Sequence, residues 1–97
     1  MLGFIKQNPT DPFPRYALAM EYKNAGRLED ARQTFDELMT ANPDYPATYL
    51  HAGNVFLGLG QVDRARTIYQ QGIAACARQG DAHARSEIES ALASLPT

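Results

Sequence analysis

The sequence predicts an all-α protein made of antiparallel helix hairpins stacked side by side, and three observations predict it. Apolar residues recur at helical spacings, first as Leu18, Ala19, Tyr22 and Ala25, then as Leu28, Ala31, Phe35, Leu38 and Met39, so each set lies along one face of a helix. Between the two sets stand Asn24 to Arg27, where Gly26 can take the left-handed conformation that ends a helix. A turn this short makes the two helices antiparallel neighbours. Third, a shift of 34 residues lays the chain on itself: Asn8 meets Asn42, Pro9 meets Pro43, Pro12 meets Pro46, Gly26 meets Gly60, Ala31 meets Ala65 and Arg32 meets Arg66. The same shift sets Tyr22 on Phe56, Phe35 on Tyr69, Leu28 on Val62 and Ala19 on Gly53. Aromatic falls on aromatic and small on small, so the period is structural.

Taken in order, residues 1–10 read as the end of a preceding repeat, because the shift places Phe4 and Ile5 opposite Leu38 and Met39. The chain is then either a truncated array or one whose first helix is very short. Residues 11–44 form the first hairpin. Asn8-Pro9 and Asn42-Pro43 stop helices, since proline disfavours helical geometry in the residue before it, and Pro12 and Pro46 fall where a first turn tolerates proline. Residues 45–79 form the second hairpin, with an extended second helix whose stripe runs through Val62, Ala65, Tyr69, Gly72, Ile73 and Cys76 before Gly80 breaks it. Small residues at Ala19, Ala31, Gly53 and Ala65 let helices approach closely, and Tyr22, Phe35, Phe56 and Tyr69 fill the spaces between layers. In residues 80–97, Asp81 is a candidate N-cap and Ala84, Ile88, Ala91, Leu92 and Leu95 make one apolar face. This is a capping helix, the piece a stacked array needs to close its last apolar surface.

These residues resemble the tetratricopeptide repeat, a 34-residue helix-turn-helix unit. Leu18, Ala19, Tyr22, Gly26, Ala31, Phe35 and Pro43 fill its pattern in the first unit, and Gly53, Phe56, Gly60, Ala65 and Tyr69 fill it in the second. Arg15, Ala52 and Ala77 depart from it. The resemblance implies a short right-handed solenoid acting as a protein-protein interaction module.

Composition narrows the function further. A formal charge of −2 with both signs interspersed offers no basic field for nucleic acid or an anionic membrane. The acidic balance and the 34-residue period also oppose the related 35-residue helical repeats that bind RNA. No apolar run approaches the ~20 residues needed to span a bilayer, and the first residues lack the features of a signal peptide. A single cysteine, Cys76, excludes an internal disulfide. Cytoplasm is the simplest assignment. His51 and His83 lie on different helices without further ligands at metal spacing, and Cys76 falls on an apolar stripe. Phosphate loops, nucleophile elbows and paired catalytic carboxylates are absent from the sequence. No enzyme activity, cofactor, metal or small-molecule substrate is expected.

A surface remains. The helix over Ala47 to Leu59 packs through Tyr49, Ala52, Gly53, Phe56 and Leu59, yet carries Leu50 and Leu57 on another face beside His51 and Asn54. In tetratricopeptide repeats the first helices of successive units line a groove that holds peptides or partner helices. The resemblance therefore implies Tyr16, Met20, Lys23, Asn24, Leu50, His51, Asn54 and Leu57 as contact residues. Only Asn54 sits at a position resembling the carboxylate clamp by which some members hold acidic chaperone tails, so no such clamp is expected. The groove residues suit an extended segment or amphipathic helix of a protein partner. Two alternatives stay open: Tyr16 and Met20 packing against Leu50 and Leu57 within the chain, or a homodimer formed through the same face. Arg27, Arg32 and Arg66 read as solvated charges.

Overall fold

The computed structural model describes residues 11–96; the repeat end expected over residues 1–10 lies outside them. Five helices make up the described chain: α1 (Pro12–Asn24), α2 (Leu28–Ala41), α3 (Ala47–Gly58), α4 (Val62–Gln79) and α5 (Ala82–Ala93). Each boundary has a local cause. The Asp11 carboxylate caps α1 by accepting from the Phe13 amide at 3.0 Å, and Pro12 occupies the first helical position, where a missing N–H is harmless. Gly26, Gly60 and Gly80 all carry positive φ, at 76°, 79° and 67°, so the three turns sit where the sequence has a residue without a Cβ. The long α4 runs to Gln79 before Gly80 stops it. Asp81 then caps α5, accepting from the Ala84 amide at 3.0 Å. Pro46 lies one residue before α3, in the N-cap position.

The helices alternate between two rows. α1 packs on α2, α3 on α4, and α5 returns against both α4 and α3. In addition α2 packs on α3, and α1 touches α3, so α1, α3 and α5 form one row and α2 and α4 the other. The extents, 41 × 30 × 18 Å, are those of a thin stack in which each helix meets its neighbours in the sequence order.

Between the rows lies a continuous core. Ala19, Ala31, Phe35 and Leu38 bury the first hairpin, and Ala52, Phe56, Ala65, Ile68 and Tyr69 bury the second. Ile88 and Leu95 seal the C-terminal end. The small residues do what the period implied: the space above Gly53 is occupied by the Tyr69 ring, and that above Gly72 by Tyr49 and Ile88. Three details differ from the stripes read in the sequence. Ala25 is exposed, because it falls beyond the last turn of α1 as its C-cap. Tyr22 is only half-buried, with the Arg27 guanidinium 4.7 Å above its ring. Thr48, Val55, Ile68 and Ala75 are buried although they lie off the expected stripes.

The surface is laced by ion pairs within helix turns, among them Arg32 with Glu29 and Asp36 at 3.1 and 2.9 Å. Exposed pairs of this kind contribute little to stability, because solvent screens them. Arg66 does more than a solvated charge would: besides Asp63 at 2.8 Å, it donates to the Pro96 carbonyl at 2.8 Å, tying the chain beyond α5 back to α4.

Candidate functional site

The row of α1, α3 and α5 presents the sequence-predicted contact residues. Tyr16 of α1 joins the helices, its ring 5.8 Å from that of Tyr45 in an edge-on arrangement and 6.0 Å from the imidazole of His51 on α3. Burial, with a smaller contribution from Tyr45, pushes the Tyr16 phenol up from its usual value. His51 lies between α1 and α5. Its imidazole is held below the ordinary histidine value first by burial and then by the charge of Lys23, with Glu87 of α5 opposing. The groove therefore presents His51 as a neutral imidazole at neutral pH.

The other candidates divide by how much of them is already used. Met20 and Leu50 are half-buried and pack against the core. Leu57 is 37% exposed, one of two large apolar side chains that face solvent among the described residues, the other being Phe13 at 62% near the start of α1. Asn54 is tied into the fold, its side-chain oxygen accepting a hydrogen bond from the Tyr69 hydroxyl on α4. Asn24 is exposed at the last position of α1. Tyr16 and His51 thus come together, and the charge of Lys23 is felt at the imidazole.

Sequence reasoning missed the wall supplied by α5. Pro46, Ala47, Leu50 and His51 face Asp81, Ala84, Glu87 and Ile88 across a cavity of about 220 Å³. A signal for it exists. The 34-residue shift, carried once further, lands Leu50 on Ala84 and Asn54 on Ile88, which puts α5 in register with α3, against which it packs. A larger cavity, about 450 Å³, lies on the opposite row, where Asp36, Tyr49, Arg64, Gln71 and Arg78 line it. Its charges are already paired, Arg64 with Asp36 at 3.7 Å and Arg78 with Asp44 at 2.5 Å.

No three His, Cys, Asp or Glu side chains among the described residues are grouped to hold a metal ion. Cys76 is buried, and burial pushes its thiol up, with Asp81 adding to the shift and Arg85 opposing it; a thiol of raised pKa is a poor nucleophile at neutral pH. No helix among the described residues is long and apolar enough to cross a membrane.

A tetratricopeptide repeat profile matches residues 24–95, and a second tetratricopeptide repeat profile matches residues 2–33. The chain belongs to the tetratricopeptide repeat family. Among solved structures it is similar to the crystal structure of a tetratricopeptide repeat domain protein from Salinibacter ruber, with 37% identity over 86% of this chain and 93% of that one, and a TM-score of 0.82. The solution NMR structure of a tetratricopeptide repeat domain protein from the same organism is 38% identical, covers 88% of this chain and 86% of that one, and gives a TM-score of 0.81. The comparison with curated proteins gives no match. Tetratricopeptide repeats are in general protein-protein interaction modules, and this chain is an all-α repeat solenoid.

Proposed function

We propose that the groove along α1, α3 and α5 binds a segment of a partner protein, as a strand of extended chain or a helix laid across Tyr16, Met20, Lys23, Asn24, Leu50, His51, Asn54 and Leu57. The observation that carries this reading is the open cavity between α3 and α5, which continues the half-buried apolar surface of Tyr16, Met20 and Leu50. Binding here is a matter of shape and apolar complementarity, with polar groups fixing register. The domain works as a scaffold or adaptor and performs no reaction. The carboxylate clamp has no place in it, because Tyr16 and Leu50 stand where basic side chains would be needed.

The second reading is self-association through the same face, which the exposed Leu57 favours equally. Light scattering across a range of concentrations separates the two, run on the native chain beside Leu57→Asp, a change at an exposed site that leaves the circular dichroism of the fold intact. A monomer at every concentration is the expected result and leaves the groove for another protein. A native dimer that Leu57→Asp dissolves would replace the adaptor reading with the homo-oligomeric one.

A further inference from the structure

The cavity between α3 and α5 also constrains what kind of segment fits. Its volume, about 220 Å³, falls below the ~300–1,000 Å³ of small-molecule sites and matches a protruding apolar side chain. Pro46, Ala47, Leu50, Ala84 and Ile88 supply apolar walls. The rim is acidic. Asp81 stands at one end and Glu87 along the side, and Glu87 is half-exposed, with the His83 imidazole 3.2 Å from its carboxylate. The Asp81 carboxylate spends one oxygen on the Ala84 amide. The start of α5 contributes a partial positive charge of about half a unit, less than the two full negative charges beside it. Lys23 belongs to α1 and Glu87 to α5, and both charges reach His51 between them, so the groove is polarised, basic toward α1 and acidic at the α3–α5 notch.

We infer that the notch between α3 and α5 takes an apolar side chain of a partner segment that carries a lysine or arginine close beside it, the cation meeting Glu87 and Asp81. This rests on the groove reading above and adds the chemistry of the occupant. The apolar knob supplies affinity by filling the notch, and the neighbouring cation fixes orientation, because the opposite direction would place it near Lys23. His51, which lines the same notch, adds positive charge there when protonated, so an acidic medium weakens the interaction.

The test is selection from a displayed random peptide library on the full chain. Synthetic versions of the selected peptides are then titrated against the native protein, Glu87→Lys, Ala84→Leu and Leu57→Asp, all checked for native circular dichroism. The expected result is enrichment of an apolar residue with Lys or Arg nearby. Affinity should then fall about tenfold in Glu87→Lys, where the charge is reversed, and in Ala84→Leu, where the notch is filled. Peptides that depend on Leu57 but tolerate Glu87→Lys and Ala84→Leu, or that are acidic, would overturn this inference and leave the groove reading standing. If no peptide is selected, or if binding ignores all three substitutions, both readings fall.

Discussion

Tyr69 and Asn54 hold the positions that Phe35 and Met20 hold one period earlier, and the two pairs meet the same packing demand with different chemistry. The Tyr69 hydroxyl donates to the Asn54 side-chain oxygen, whereas Phe35 and Met20 have no polar atom to satisfy. Tyr69→Phe leaves the half-buried Asn54 oxygen, and Asn54→Met the buried Tyr69 hydroxyl, without its partner, and either should destabilise the chain by about 1 kcal/mol or more. The double substitution rebuilds the first-unit pair and should recover most of that loss; a double-mutant cycle by urea unfolding in which the two losses simply add would refute the coupling. Close packing makes a second residue-scale prediction. A Cβ at Gly53 would lie 2.2 Å from the Tyr69 ring, and one at Gly72 would lie 2.4 Å from the Tyr49 Cβ. Alanine gains about 1 kcal/mol of helix propensity over glycine, but overpacking costs about 1–3 kcal/mol or more. Both substitutions should therefore lower the melting temperature, Gly72→Ala the further, because a Cβ cannot swing aside as a ring can. A rise in either melting temperature would contradict the packing. His51 yields a third. Its folded-state pKa is lowered from 6.5 by burial and Lys23, against Glu87, so as pH falls the unfolded chain takes up this proton first. Stability is then full above about pH 6.5 and declines below it. The urea midpoint should drop from about pH 7.5 to 5.5 in the native chain and drop less in His51→Asn; equal declines would clear His51 of the effect.

At the scale of the element, α5 depends on a small number of contacts. Ile88 is wholly buried, reaching within 3.0 Å of where a Cβ on Gly72 would be, and Asp81 starts the helix by accepting from the Ala84 amide. Asp81→Ala should cost about 1 kcal/mol and Ile88→Ala about 2–5 kcal/mol, an order that denaturant unfolding of the two variants checks. Such an element was legible in the sequence because Gly80, Asp81 and a one-sided stripe each point to the same helix. The burial of α3 was not. α3 meets α1, α2, α4 and α5, so Thr48 and Val55 are buried along with Tyr49, Ala52 and Phe56, and a helix covered from several sides has no single stripe to read. Ile68 and Ala75 escaped for a related reason, α4 being packed on both α3 and α5. The α1 and α3 residues of the proposed groove came from the family resemblance, which places contact residues on the first helices of successive units. The groove's third wall was hidden because the apolar face of α5 reads as a lid, and the polar Asp81 and Glu87 that line the notch look from sequence like an N-cap and a solvated charge.

For the whole molecule the consequence of a stack is that stability is distributed by neighbours. Each helix contacts those near it in the order, and neither α1 nor α2 packs on α5 among the described residues. Folding free energy in such an array is nearly a sum of unit terms and interfaces, so local opening should proceed from an end and leave the middle intact. α3 is the helix with the most neighbours, and the amides of Val55 and Phe56 should exchange with solvent only through global unfolding. Those of α5 are held through Ile88 and Leu92 and can open when α5 separates from α3 and α4. Ile88→Ala provides the means to tell the two routes apart. If the array opens by units, the substitution should speed exchange in α5 by a larger factor than in α3, because it lowers the barrier to undocking α5 more than that to unfolding the remainder. Mass-resolved hydrogen exchange on the native chain and the variant measures both factors in one experiment. An equal acceleration across α3 and α5 would mean that the chain unfolds as a single cooperative block, in which case the α3–α5 notch could not open or close without the whole domain.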